Sequence, residues 1–269
     1  MIRNYSITKS LLSILCLLLF SIVASPAYAG LGDFLNKWGG EYHLVHPIGI
    51  AMDSSGNVYV ASNSSYSVYV FSSTGSFVRK WGTRGNGDGQ FENPEGIAVD
   101  ESGNVYVTDR NNRVQVFSNT GTFIRKWGVY GSGDGEFNNP KGISVDSGGN
   151  VYVADPSNYR VQVFSKTGAF LRKWGSSGVG DGQFLYPSGI AVDEIGNVYV
   201  ADSSNNRVQV FSNTGTFLRK WGIYGSGNGQ FSYPQGVAVD GSGNVYVTEV
   251  GNDRVQVFSN TGVFIRKWG

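Results

Sequence analysis

From residue 47 onward, hydrophobic residues fall in short runs, alternating or β-branched, cut by clusters of Gly, Asn, Asp and Ser. The stretch from Pro187, PSGIAVDEIGNVYVADSSNNRVQVFSNTGTFLRKWGIYGSGNGQFSY, holds four such runs: GIAVD, NVYVAD, RVQVFS and TFLRKW. Each predicts a strand. Residues 193–197 (DEIGN) predict an Asx-type turn with Gly where the backbone needs positive φ, and residues 213–215 (NTG) repeat that logic before the fourth run. No window sustains a period of 3.6, so no helix is expected after the N-terminal segment. The pattern is all-β.

The runs recur. Prolines stand at 47, 94, 140, 187 and 234, spaced by 47, 46, 47 and 47 residues, and Trp81, Trp127, Trp174, Trp221 and Trp268 close the successive units. Within the unit from Pro187, Val and Ile take one side of the first three strands, and Tyr199, Ala201, Phe211 and Trp221 the other. Both faces of each small sheet therefore need burial against a neighbouring sheet, and four-stranded blades set radially about an axis meet that need: a β-propeller. Residues 47–269 supply five complete blades, and residues 34–38 (FLNKW) copy the fourth strand alone.

Ahead of the repeats, residues 1–10 carry Arg3 and Lys9, residues 11–24 are almost wholly apolar, and residues 27–29 (AYA) supply small residues at a cleavage site. The chain thus divides into a secretory signal at 1–29, a segment at 30–46 with the lone strand, and the propeller at 47–269. The apolar stretch is short of the roughly 20 residues a spanning helix needs, so no stable membrane span is expected after cleavage. A secreted, periplasmic or extracellular location follows. Cys16, the single cysteine, falls in the signal, leaving no disulfide or thiol nucleophile beyond it. Removing residues 1–29 takes 21 basic residues to 19 against 20 acidic ones, a net charge of −1 that argues against nucleic acid as a partner.

The string P-x-G-I-A-V-D-x-x-G-N-V-Y-V-A-D-x-x-N-x-R-V-Q-V-F, then G-x-F-x-R-K-W-G, recurring at Pro47, Pro94, Pro140, Pro187 and Pro234, resembles the NHL repeat. The resemblance implies a propeller of the six-bladed type, here with an incomplete last blade. An open ring would leave apolar faces and edges available for self-association. For function it implies only a range, from RNA-binding and protein-binding propellers to extracellular sensor domains and a secreted lyase.

Comparison of the five copies locates the variation. The turn between second and third strands and the blade-to-blade connection share one rim, and these differ most; the DxxGN and NTG turns of the other rim change less. Tyr66, Arg84, Glu92, Arg110, Tyr130, Lys141, Tyr159, Tyr186, Tyr224 and Tyr233, with Glu95, fall on the variable rim. Tyr and Arg suit recognition because they give large contact area with few rotors. Unconstrained loop drift is the alternative. The expected function is binding of a protein, peptide or glycan on this rim without catalysis; a propeller enzyme of the lyase or lactone-hydrolase type is the rival.

Four further features have structural readings. Asp53, Asp100, Asp146, Asp193 and Asp240 are expected to cap turns rather than hold a cation in the channel. Asp109 with Arg113, Asp155 with Arg160, Asp202 with Arg207 and Glu249 with Arg254 are expected to be partly exposed ion pairs of below about 1 kcal/mol. The Arg-Lys pair of every fourth strand is expected to protect an edge, or else to form a positive perimeter for anionic polymers. The Gly-rich connections read as flexible linkers. His43 and His46, the two histidines, read as surface residues, and no cofactor or metal is expected.

Overall fold

The computed structural model describes residues 44–269, which form five antiparallel sheets of four strands. The signal expected at 1–29, the strand expected at 34–38 and His43 lie outside the described residues. Blade 1 comprises β1 (Pro47–Met52), β2 (Val58–Ser62), β3 (Ser67–Phe71) and β4 (Phe77–Trp81); a short parallel pair, β5 (Thr83–Arg84) and β6 (Gln90–Phe91), leads on from it. Blade 2 is β7 (Pro94–Val99), β8 (Val105–Asp109), β9 (Arg113–Phe117) and β10 (Phe123–Trp127). Blade 3 is β11 (Ile143–Val145), β12 (Val151–Asp155), β13 (Arg160–Phe164) and β14 (Phe170–Trp174). Blade 4 is β15 (Pro187–Val192), β16 (Val198–Asp202), β17 (Arg207–Phe211) and β18 (Phe217–Trp221). Blade 5 is β19 (Pro234–Val239), β20 (Val245–Glu249), β21 (Arg254–Phe258) and β22 (Phe264–Trp268). Every connection within a blade is a hairpin, so the described residues make the expected up-and-down propeller blades.

Each DxxGN turn is closed by its aspartate. Asp53 accepts from the amides of Ser55 (3.0 Å) and Asn57 (2.8 Å) at Oδ1, and from Asn57 Nδ2 (2.9 Å) and Tyr59 OH (3.0 Å) at Oδ2. Asp100, Asp146, Asp193 and Asp240 repeat the hydrogen bonds to Asn and Tyr. These carboxylates are turn caps with both oxygens engaged. Burial first, then the adjacent aspartate, pushes the phenols of Tyr59 and Tyr152 up to about 12, so they remain donors at neutral pH.

Adjacent blades share a core. Tyr59, Val68 and Val70 of blade 1 pack with Ile97, Val105 and Phe117 of blade 2, and equivalent clusters join blades 2 and 3, 3 and 4, and 4 and 5. One assignment of faces changes. Phe211 packs with Val198 and Val200 toward blade 3, whereas Val208 and Val210 join Tyr199 and Ala201 toward blade 5, because β16 and β17 pair Val200 with Gln209 and Ala201 with Val208.

Three contacts repeat at those four junctions. The inner-strand glycines Gly49, Gly96, Gly142 and Gly189 lie so close to the next blade that an added Cβ would strike the carbonyl oxygens of Glu95, Lys141, Ser188 and Gln235. At the perimeter, Arg79, Arg125, Arg172 and Arg219 donate to the carbonyls of Asn119, Lys166, Asn213 and Asn260 in the next blade's outer turn. Beside them, Trp81, Trp127, Trp174 and Trp221 lie against the glycines of the same turns, Gly121, Gly168, Gly215 and Gly262.

These arginines staple blades, and Lys126, Lys173 and Lys220 pair with Asp88, Asp134 and Asp181 at 2.5–2.6 Å. The paired perimeter is therefore not a stripe of spare positive charge. Blade 5 lacks the set: a Cβ on Gly236 would meet Thr248 Oγ1 at 2.8 Å within its own blade, and Arg266 Nε is buried without a hydrogen bond. Among the described residues, no core cluster joins blade 5 to blade 1; Ile50, Val58, Val60, Tyr69 and Phe71 form one terminal cluster, and Tyr246, Val255 and Val257 the other.

Candidate functional site at the channel mouth

The inner strands surround a cavity of about 500 Å³ lined by residues 48–52, 95–99, 141–145, 188–192 and 235–239, with Tyr246 and Thr248. Its walls repeat closely from blade to blade, with Ser144 in place of Ala, Met52 in place of Val and Val237 in place of Ile as single departures, and one position varies throughout. In four of the five blades the glycine after it is held by the close approach of the next blade, and the Ile or Val beyond that belongs to the cores. The residue directly after the proline differs in all five copies: Ile48, Glu95, Lys141, Ser188 and Gln235. It stands where the inner strand enters from the connection-bearing rim, so the five residues form a collar at that mouth.

A second variable position pairs with the collar. The first residue of the turn after the second strand is Asn63, Arg110, Pro156, Ser203 or Val250. In blade 2, Arg110 Nε donates to Glu95 Oε1 (3.3 Å); in blade 4, Ser188 and Ser203 share a 2.8 Å hydroxyl contact, and Ser188 donates to the Gln235 carbonyl (2.9 Å). Lys141 Nζ reaches Glu95 Oε2 (3.3 Å) and lies 5.9 Å from the centre of the Tyr186 ring. Glu95 is only 3% exposed, and its buried carboxylate is held between two cations from different blades. The Lys141 carbonyl in turn accepts from Thr108 Oγ1 (2.6 Å), which also receives the Gly96 amide.

Of the ten rim candidates, Arg110 and Lys141 converge on Glu95, and Tyr186 lies beside Lys141. Exposed Arg84 forms a separate group with the half-buried Glu92 and Tyr66: Arg84 Nε lies 3.1 Å from Glu92, and its guanidinium 5.3 Å from the Tyr66 ring. Tyr130 and Tyr224 are over 70% exposed on the connections, outside the cavity lining. Tyr66 and Tyr159 take positive φ (53° and 55°) at the turn position filled by Asn112 and Asn206 elsewhere, which makes them turn residues first. Tyr233 also has positive φ (51°) and is exposed before Pro234. His46 Nδ1 lies 2.6 Å from Ser64 Oγ in an exposed pair that does not line the cavity.

The rim itself is braced, contrary to two expectations. The Asp109–Arg113, Asp155–Arg160, Asp202–Arg207 and Glu249–Arg254 pairs are buried, with carboxylate side chains 0% exposed. They also clamp the Gly-rich connections. Arg160 donates Nε to Asp155 (2.8 Å), Nη1 to the Ser132 carbonyl (2.7 Å) and Nη2 to the carbonyls of Gly133 (2.9 Å) and Glu136 (2.7 Å). Gln162 donates to the Glu136 carbonyl (2.7 Å) and accepts from the Gly135 amide (3.0 Å). The same clamp recurs at Arg113, Arg207 and Arg254, so these connections are tied structures rather than flexible linkers. Burial pushes the Asp109 carboxyl up, and Arg113 beside it pulls it back. Sequence reading missed the glutamines: a polar residue recurring between two core valines was the available signal.

A family model for the NHL repeat matches residues 91–117, 137–164, 184–211 and 231–258. No curated protein sequence matches the chain. Among solved structures, a chain in a crystal structure of a nidogen/laminin complex superposes with a TM-score of 0.65 at 21% identity, over 84% of this chain and 80% of that one. A streptogramin B lyase gives 0.61 at 16% identity, over 82% and 68%. A catalytically inactive virginiamycin B lyase from Staphylococcus aureus with quinupristin gives 0.61 at 16% identity, over 87% and 71%. At these identities the likeness is one of fold.

Proposed function

The chain carries NHL repeats on a β-propeller, and from that premise we propose that it is an exported, non-catalytic binding module. Its recognition face is the connection-bearing rim, centred on the channel mouth. One observation carries the reading: within a repeating frame, the collar position after each proline holds five different residues, paired in two blades with an equally variable turn residue. A frame this repetitive has no architectural need for variety there. Buried clamps hold the face rigid, which lowers the ordering cost of recognition.

A protein or peptide is the partner class proposed, and a propeller of the same fold occurs in a nidogen/laminin complex. The lyase neighbours contribute the fold alone, and the mouth chemistry here is an ion-paired carboxylate between two cations, a recognition arrangement. Export follows from residues 1–29. Peptides selected from a random display library against the protein purified after export should bind at the mouth. Tyr186→Ala and Arg110→Gln are expected to weaken them about tenfold or more, equivalent to about 1.4 kcal/mol, while Ile195→Ser on the opposite rim leaves them unchanged. Binders sensitive only to Ile195→Ser would refute the assignment of the face.

A further inference from the structure

Four of the collar's five residues, Glu95, Lys141, Ser188 and Gln235, are charged or polar, and Ile48 is its one apolar member. Around Glu95, one carboxylate faces two cations, a local surplus of one positive charge. Glu95 uses Nε of Arg110, and the guanidinium's Nη1 and Nη2 have no hydrogen-bond partner among the described residues. The Arg110 side chain is 50% exposed at the mouth, so its planar end is fixed from behind by a buried acid and open in front. Lys141 spends one of its three donors on Glu95, and its side chain is 20% exposed. Blades 5 and 1 bring Val250, Tyr233 and Ile48, all exposed apolar groups, to the same rim.

We propose that the channel mouth binds a peptide carboxylate, from a chain end or an acidic side chain, on Arg110 and Lys141, with the adjoining apolar group toward Ile48 and Tyr233. Glu95 is the positioning residue that aims the fork. Two donors side by side on a fixed guanidinium match the two oxygens of a carboxylate, and the surplus charge is neutralised on binding. No other blade repeats the arrangement, since the position of Arg110 holds Asn63, Pro156, Ser203 or Val250. The proposal rests on the binding role given above and names the chemistry of its ligand.

The test uses three synthetic probes titrated into the exported protein: acetyl-Ala-Ala-Ala-Leu as the free acid, the same peptide as its amide, and acetyl-Ala-Glu-Ala-Leu as its amide. The free acid, the glutamyl amide or both should bind about tenfold or more tightly than the neutral amide, and which of the two binds identifies the carboxylate's source. Arg110→Gln should remove that preference, and Arg110→Lys should weaken it although the charge is kept. Added salt should weaken the charged probes alone. Equal affinity for acid and amide, no binding by any probe, or a preference untouched by both Arg110 substitutions would overturn the proposal. Library peptides that need Tyr186 and Arg110 yet ignore their own carboxylates would sink this inference while leaving the binding face in place.

Discussion

Replacing Arg160 with alanine is expected to lower stability by about 3–5 kcal/mol, read as a drop in the urea midpoint at unchanged slope. The arginine is buried with Asp155 and donates to three carbonyls of the connection before its blade. Its removal leaves a buried carboxylate and three carbonyls short of a donor, which costs far more than a surface contact. Lys173→Ala supplies the control, because the Lys173–Asp134 pair is about half exposed on both sides and should cost less than about 1 kcal/mol. The double variant Asp155→Leu with Arg160→Met should lose less than Arg160→Ala, since no buried charge is stranded. A cost for Arg160→Ala equal to that of Lys173→Ala would mean that the clamp does not hold the rim.

Gly142→Ala is the second large effect, expected at about 1–3 kcal/mol from overpacking. Its Cβ would press on the Ser188 carbonyl, backbone that cannot move without widening the ring of inner strands. Gly236→Ala should cost distinctly less, because its Cβ meets a threonine side chain at 2.8 Å rather than the next blade's backbone. Thermal unfolding of the two variants side by side gives the comparison. Widening between blades 3 and 4 would also shift Lys141 relative to Ser188, so Gly142→Ala should disturb ligand binding as well as stability.

The blades were legible in the sequence because their cause is local. Period-2 runs such as NVYVAD, turns opened by Asp193 or Asn213, and prolines phased at 46–47 residues each point to the same four-stranded unit. The role of the connections was hidden because it depends on long-range hydrogen bonds. Gly131, at φ 157°, looks like a hinge in sequence, but a Cβ there would strike the Glu136 side chain that folds back to cap the Gly133 amide at 2.8 Å. Likewise Arg172 follows a perimeter pattern in sequence, and only the structure shows it reaching the Asn213 carbonyl of the next blade.

The site was half legible. Arg110, Lys141, Tyr186 and Glu95 were identifiable from their rim position, whereas the role of Glu95 between two cations emerged only when blades 2 and 3 were placed side by side. Aromatic content alone overreached: Tyr66 and Tyr159 occupy left-handed turn positions, and Tyr130 and Tyr224 stand over 70% exposed on the connections.

Amide hydrogen exchange with and without a selected peptide tests the central claim most directly, that the collar of unlike residues at the channel mouth is the recognition site. Protection should concentrate at residues 93–97, 110–112, 139–143 and 186–190, where the inner strands enter and the Arg110 turn closes. Protection confined to the DxxGN turns or to the outer strands β10, β14 and β18 would contradict it.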